Sequence, residues 1–238
     1  MLFRSYISRT MGLTPERAVA MVQPVKAQLR YLYNQELKSI WSIAPAMMMF
    51  ILLMTPPFLT ALGVVREKEN GSIYNIYSST VTRAEFLIGK LLPYVGLSCI
   101  NVIILWLMAM LVFNAPFKGD PIFFFLASVV YVFCTTGIGL LVSLLARTQV
   151  AAMMITVVVT IVPAVLYSGL LVPIASMDSA SQFEAHLFPA MYYTDIALGS
   201  FLKGIGSGQL WGRVGALLIY TSVLWLLSYF LFHKRVRA

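Results

Sequence analysis

Few side chains in this sequence could carry covalent or metal chemistry, and none stands at a spacing that would use it. The histidines, His186 and His233, have no Cys, His, Asp or Glu neighbours at metal-ligand spacing. Cys99 and Cys134 sit inside apolar runs and form no C-x-x-C, so they read as small core residues. No G-x-S-x-G nucleophile elbow is present. Gly89-Lys90 lacks the upstream glycine of a phosphate-binding loop, and Leu91 stands where a magnesium-binding Ser or Thr would be needed. Gly204, Gly206 and Gly208 alternate without a preceding strand, which makes a flexible turn rather than a dinucleotide site. The sequence predicts no enzyme activity, no cofactor and no metal on this chain.

What it offers instead is apolar length. Hydrophobic residues make up 60% and charged residues 11%, against roughly 25% charged in a soluble domain. That is too little charge to coat a water-soluble surface. Five runs are long enough to cross a bilayer as helices: about 43–65, 91–113, 121–145, 150–171 and 212–232. Pro56-Pro57, Pro93 and Pro163 should kink these helices or mark their ends. No Asp, Glu, Lys, Arg or His lies in the interior of a span, Arg213 at the edge of the last being counted with the loops. Proton relays and ion-coupled carriers need such groups at depth, so energy for any transport must enter elsewhere.

Basic residues set the expected orientation. Arg66, Lys68, Arg83, Lys90, Arg147, Lys234, Arg235 and Arg237 fall on one side of the spans, and Lys118, Lys203 and Arg213 on the other. The positive-inside rule then places the C-terminus in the cytoplasm and, with five spans, the N-terminus outside. Residues 1–42 carry Arg4, Arg9, Arg17, Lys26, Arg30 and Lys38 against Glu16 and Glu36. A basic outside segment breaks the rule unless it belongs to a translocated domain, and it is expected to be the remnant of an extracytoplasmic one. The first residues lack the long apolar stretch of a signal peptide.

Two segments between spans carry information. In VREKENGSIYNIYSST, the charges Glu67 and Glu69 should end the first span. Gly71 breaks the helix, Ser72 can cap a short new one, and Ile73, Tyr74, Ile76 and Tyr77 ride on it. Thr82 with Glu85 forms a capping box that opens the next helix. The short helix either docks on a partner or lies on lipid with its tyrosines at the interface. The stretch 172–210 is too broken to span yet too apolar for a free loop. Ser181 with Glu184 suggests a capping box, Pro189 interrupts, and Met191–Leu202 can resume, giving two short re-entrant helices in the outer leaflet. Within the spans, Thr60, Asn101, Thr135 and Thr136 read as helix–helix hydrogen-bonding groups. Thr135, Gly139 and Ser143 recur every fourth residue as a small-residue stripe for close packing, within the bundle or in a dimer.

These residues resemble the membrane subunit of ABC-2-type ABC transporters. The similarity runs from about residue 30 to the end, in order, on Asn34-Gln35 through Ser39 with Pro45-Ala46, then Arg66-Glu67-Lys68-Glu69-Asn70-Gly71-Ser72. It continues through Ser79-Thr80 with Glu85 and Gly89-Lys90, Ser168-Gly169 to Pro173, and Lys203-Gly204. Gln35, Ala46 and Thr80 replace the family's usual Pro, Gly and Pro, and the arginine often found ahead of the last Lys-Gly is not present. The wording around VREKENGSIYNIYSST and GKLLPY is also similar to the C-terminal membrane portion of ribosome-associated ATPase fusion proteins.

The resemblance implies an all-α membrane protein: five transmembrane helices, a short cytoplasmic coupling helix, outside re-entrant helices, and an ABC-2 transmembrane domain over 43–238. It implies a bacterial inner-membrane permease, an exporter by family habit, paired with a second permease half and driven by an ABC ATPase subunit or domain. Glu67, Glu69, Gly71, Ser72, Ile73, Tyr74, Ile76 and Tyr77 would then form the ATPase-docking loop. The family's usual first span is missing from the pattern, so the chain is expected to be N-terminally truncated. Two alternatives stand beside the permease: a membrane anchor for a ribosome-associated ATPase, with the ribosome as partner, and an inactive fragment.

Overall fold

A computed structural model describes residues 38–71 and 82–231, and every described element is helical. Seven α-helices are described: α1 (Ser39–Glu69), α2 (Arg83–Leu111), α3 (Pro121–Leu145), α4 (Gln149–Tyr167), α5 (Ser179–His186), α6 (Pro189–Leu198) and α7 (Ser207–Leu231). Five of them, α1, α2, α3, α4 and α7, are long and apolar enough to cross a membrane.

The bounds differ from the hydropathy reading at both ends of the bundle. The first helix starts at Ser39 and runs through the charges to Glu69, where the sequence had placed a span over 43–65. Its 31 residues make a rod of about 46 Å, well beyond the ~30 Å of hydrocarbon a bilayer provides. The helix runs on past the apolar span through the charges and ends at Asn70 and Gly71, the break expected from the sequence, with Gly71 at φ +75°. Pro45, Pro56 and Pro57 all lie inside α1. Likewise α7 begins at Ser207, so Arg213 is a helical residue one to two turns in rather than a loop residue.

Local signals start most elements. The Thr82–Glu85 capping box is present in full. Asp120 caps α3 through Ile122 N–H at 2.9 Å with Pro121 at the first helical position. Thr148 caps α4 through Ala151 N–H at 3.2 Å. The cap of α5 is Asp178, accepting from Ser181 N–H, and not a Ser181–Glu184 box; Glu184 accepts instead from the Tyr167 hydroxyl. The expected helix over Met191–Leu202 is α6 to Leu198, followed by a π-helical turn, Gly199–Lys203, closed by Gly204 at φ +59°.

The α1–α3 pair forms the centre. The apolar windows of α1 and α3 are 56% and 61% buried, those of α2, α4 and α7 only 28%, 22% and 17%. The last three therefore carry the exposed apolar faces, such as Ile100, Ile104 and Leu107 on α2 and Ile219, Val223 and Leu226 on α7. The short helix α6 packs inside the core, where Tyr193 stacks on Tyr131 with ring centroids 4.1 Å apart. Phe201 of the π turn meets Phe117 and Phe124 edge-on at 5.0 and 5.6 Å. Lys118 and Gly119 N–H both donate to Ser200 O, at 3.0 and 2.7 Å, binding the α2–α3 loop to that turn.

Candidate functional site

The end of the bundle where α1 stops and α2 starts (the near end) is built by the last turn of α1. Glu67, Lys68 and Glu69 point in different directions around the helix, and each meets a different helix. Glu67 pairs with Lys90 of α2. Lys68 Nζ donates to the Ser143 carbonyl near the end of α3. Glu69 Oε2 accepts from Gln149 Nε2 at 2.6 Å, at the start of α4. The charged run thus stays helical because three neighbouring helices supply its partners. The second Glu67 oxygen is buried without a hydrogen bond among the described residues.

Between these ties lies a cavity of about 570 Å³, lined by Arg66, Glu67, Asn70, Lys90, Tyr94 and Gln149 with apolar residues of α1. Its floor is a close α1–α2 approach, since a Cβ on Gly63 would stand 1.9 Å from the Tyr94 hydroxyl. The described residues here tie the last turn of α1 to α2, α3 and α4. Of the residues singled out for the docking loop, Glu67, Glu69 and Gly71 are placed here; Ser72, Ile73, Tyr74, Ile76 and Tyr77 lie outside the described residues.

The stripe Thr135, Gly139, Ser143 faces α1. A Cβ on Gly139 would lie 2.4 Å from Pro57 O and 2.6 Å from Pro57 Cα, so the two backbones touch. Ser143 also supplies the carbonyl that holds Lys68, which joins the packing stripe to the near-end ties. The threonine hydroxyls expected to bridge helices, Thr60, Thr135 and Thr136, do not do so among the described residues. Thr135 bonds its own helix, at Tyr131 O and Val132 O, and Ser143 bonds Leu140 O. Thr60 and Thr136 have no side-chain partner among the described residues. A hydroxyl in a helix reaches its own preceding turn more easily than a neighbouring helix. The cross-helix bonds come from longer side chains: Trp225 Nε1 to Phe133 O at 3.0 Å, and Ser128 with Tyr193 at 2.8 Å.

A second polar cluster, at the opposite (far) end, was not singled out from the sequence. Arg213 of α7 pairs with Asp195 of α6 at 3.1 Å. Beside them a cavity of about 540 Å³ is lined by Lys203, His186, Ile174 and Leu198, among others. The only sequence signal was an arginine at the edge of a span together with an acid in the preceding broken stretch. The Tyr192 and Tyr220 hydroxyls both donate to His186 O, at 3.0 and 2.6 Å, fixing the α5–α6 corner against α7. At the start of α5 the Ser181 side chain and N–H, both bonded to the Asp178 carboxyl, hold it below the usual carboxylate range.

The family described as ABC-2 family transporter protein matches residues 3–230, nearly the whole chain. The chain belongs to the ABC-2 transporter family. Among curated ABC-2 relatives, the probable multidrug ABC transporter permease YbhS of Escherichia coli K12 is 29% identical over 180 residues, 76% of this chain and 48% of its own length. The probable multidrug ABC transporter permease YbhR of the same organism is 29% identical over 208 residues, 87% of this chain and 56% of its own. ABC transporter G family member 20 of Dictyostelium discoideum is 26% identical over 195 residues, 82% of this chain and 27% of its own. The chain spans about half the length of the bacterial relatives it matches. No solved structure matches it significantly. Its all-helical bundle with five membrane-length helices is that of an ABC-2 membrane domain.

Proposed function

We propose that this chain is a membrane-spanning permease component of an ATP-driven exporter of amphiphilic compounds. It pairs with a second permease half and is moved by an ABC ATPase through the connection 66–90. The observation that supports the reading is the near-end set of ties. Glu67–Lys90, Lys68–Ser143 O and Glu69–Gln149 fasten both flanks of that connection to α1, α2, α3 and α4. A push on the connection is then shared by four helices instead of bending one loop. The names of the bacterial relatives, multidrug permeases, agree with an amphiphilic cargo.

The near end carries Arg66, Lys68, Lys90 and Arg147 and the far end Lys118, Lys203 and Arg213. With the basic tail Lys234, Arg235 and Arg237 this favours a cytoplasmic near end and C-terminus in a bacterial inner membrane, and an extracytoplasmic N-terminus. The hairpin α5–α6 would then enter the bundle from outside.

The test is co-purification with the cognate ABC ATPase. Tyr74→Ala with Tyr77→Ala is expected to reduce ATPase recovery about tenfold, the effect of losing two buried aromatic anchors. Full recovery would overturn the docking assignment. Salt-sensitive sedimentation with ribosomes, abolished when the ATPase is deleted, would favour the membrane-anchor reading over transport.

A further inference from the structure

We propose that the far-end cavity beside α6 binds the phosphate headgroup of an anionic amphiphile. The inference does not depend on the transport reading.

The cavity, about 540 Å³, has two cationic side chains, Lys203 and Arg213, and one acidic one, Asp195. Asp195 and Arg213 pair at 3.1 Å, but their side chains remain 35% and 39% exposed, so the pair is reachable from the cavity. A single carboxylate on one terminal nitrogen leaves most of the guanidinium's five N–H donors for a second oxyanion. Lys203 is exposed and has no ion-pair partner among the described residues. Ile174 and Leu198 complete the wall with apolar surface. A doubly cationic site with one counter-charge and an apolar side suits a phosphate attached to a hydrocarbon chain.

The backbone departs from regular geometry to make this site. Thr194, Asp195 and Leu198 line the cavity from one face of α6. Had the α-helix continued, Phe201 and Leu202, three and four residues past Leu198, would have followed on that face. The π turn Gly199–Lys203 widens the helix by one residue, and Gly204 N–H closes it on Gly199 O. Phe201 and Leu202 turn into the core, both buried, and Lys203 arrives at the cavity in their place. A π turn closed by a left-handed glycine is a common helix ending. Here it exchanges two apolar side chains for a cation.

The experiment uses the purified full chain in neutral detergent, with thermal unfolding read against dihexanoyl phosphatidic acid, dihexanoyl phosphatidylcholine and inorganic phosphate. Phosphatidic acid should raise the unfolding temperature and phosphatidylcholine should not. Lys203→Gln, which leaves the Asp195–Arg213 pair in place, should weaken the apparent affinity about tenfold, as should Arg213→Gln. Asp195→Asn, removing the competing carboxylate, should strengthen it, and Arg147→Gln at the near end should leave it unchanged. A shift with inorganic phosphate equal to that with phosphatidic acid would overturn the assignment to an amphiphile, because the apolar wall would then contribute nothing. Equal shifts with the two lipids, or a full phosphatidic acid response in Lys203→Gln, would overturn the proposal.

Discussion

Replacing Gly139 with alanine puts one carbon into a backbone-to-backbone contact between α1 and α3. The new Cβ would lie 2.4 Å from Pro57 O, 2.6 Å from Pro57 Cα and 2.9 Å from Pro57 C. All three atoms are backbone, so no rotamer change relieves the overlap, and α1 and α3 must separate by about an ångström to restore van der Waals distance. Overpacking of this kind costs about 1–3 kcal/mol. Alanine's better helix propensity returns up to about 1 kcal/mol. The expected net loss is about 1–2 kcal/mol, read as a lower unfolding midpoint of the purified protein in detergent, followed by intrinsic tryptophan fluorescence. Two other glycines calibrate it. Gly137→Ala would meet the Trp225 and Leu224 side chains at 3.1 and 3.2 Å, which can yield, and should lose less. Gly96→Ala, with nothing within 4 Å, should gain up to about 1 kcal/mol from helix propensity alone. A Gly139→Ala midpoint at or above that of wild type would refute the reasoning that the α1–α3 seam is set by backbone contact.

At the near end, Lys90→Ala leaves the half-buried Glu67 carboxylate without its cation and should destabilise by about 1–3 kcal/mol. The pair exchanged as Glu67→Lys with Lys90→Glu should recover most of that, measured by the same unfolding midpoint. In the core, Tyr193→Phe keeps the ring stack on Tyr131 and removes only the Ser128 hydrogen bond; Ser128 still donates to Phe124 O. Its loss should stay within about 0.5–1.5 kcal/mol, whereas Tyr193→Ala, which also empties the stack, should exceed about 3 kcal/mol.

The long helices were legible because apolar length is a one-dimensional property, readable without knowing any neighbour. So was the Thr82–Glu85 cap, whose partners are three residues apart. Errors came where the deciding partner lies far along the chain. The helix break at Gly71 was readable, but the pairing of Glu67, Lys68 and Glu69 with Lys90, the Ser143 carbonyl and Gln149 was not. Asp195 and Arg213 are 18 positions apart on separate helices, and nothing local announces their pairing. The spacing of Thr135, Gly139 and Ser143 left the packing partner open, within the bundle or in a dimer; that Gly139 meets Pro57 of α1 depends on a residue far back along the chain. The Ser181–Glu184 cap failed for a simpler reason: Asp178, three residues earlier, competes for the same N–H and takes it.

The Gly139–Pro57 contact has a mechanical consequence. Pro56 and Pro57 remove two backbone donors in succession, leaving the carbonyls one turn earlier without helical partners, so α1 is most compliant where α3 presses on it. About 18 Å of helix lies between this point and Glu69, and about 27 Å between it and Ser39. A displacement of the Glu67–Glu69 turn would then bend α1 at this hinge, swinging the shorter arm while the Ser39 arm stays packed.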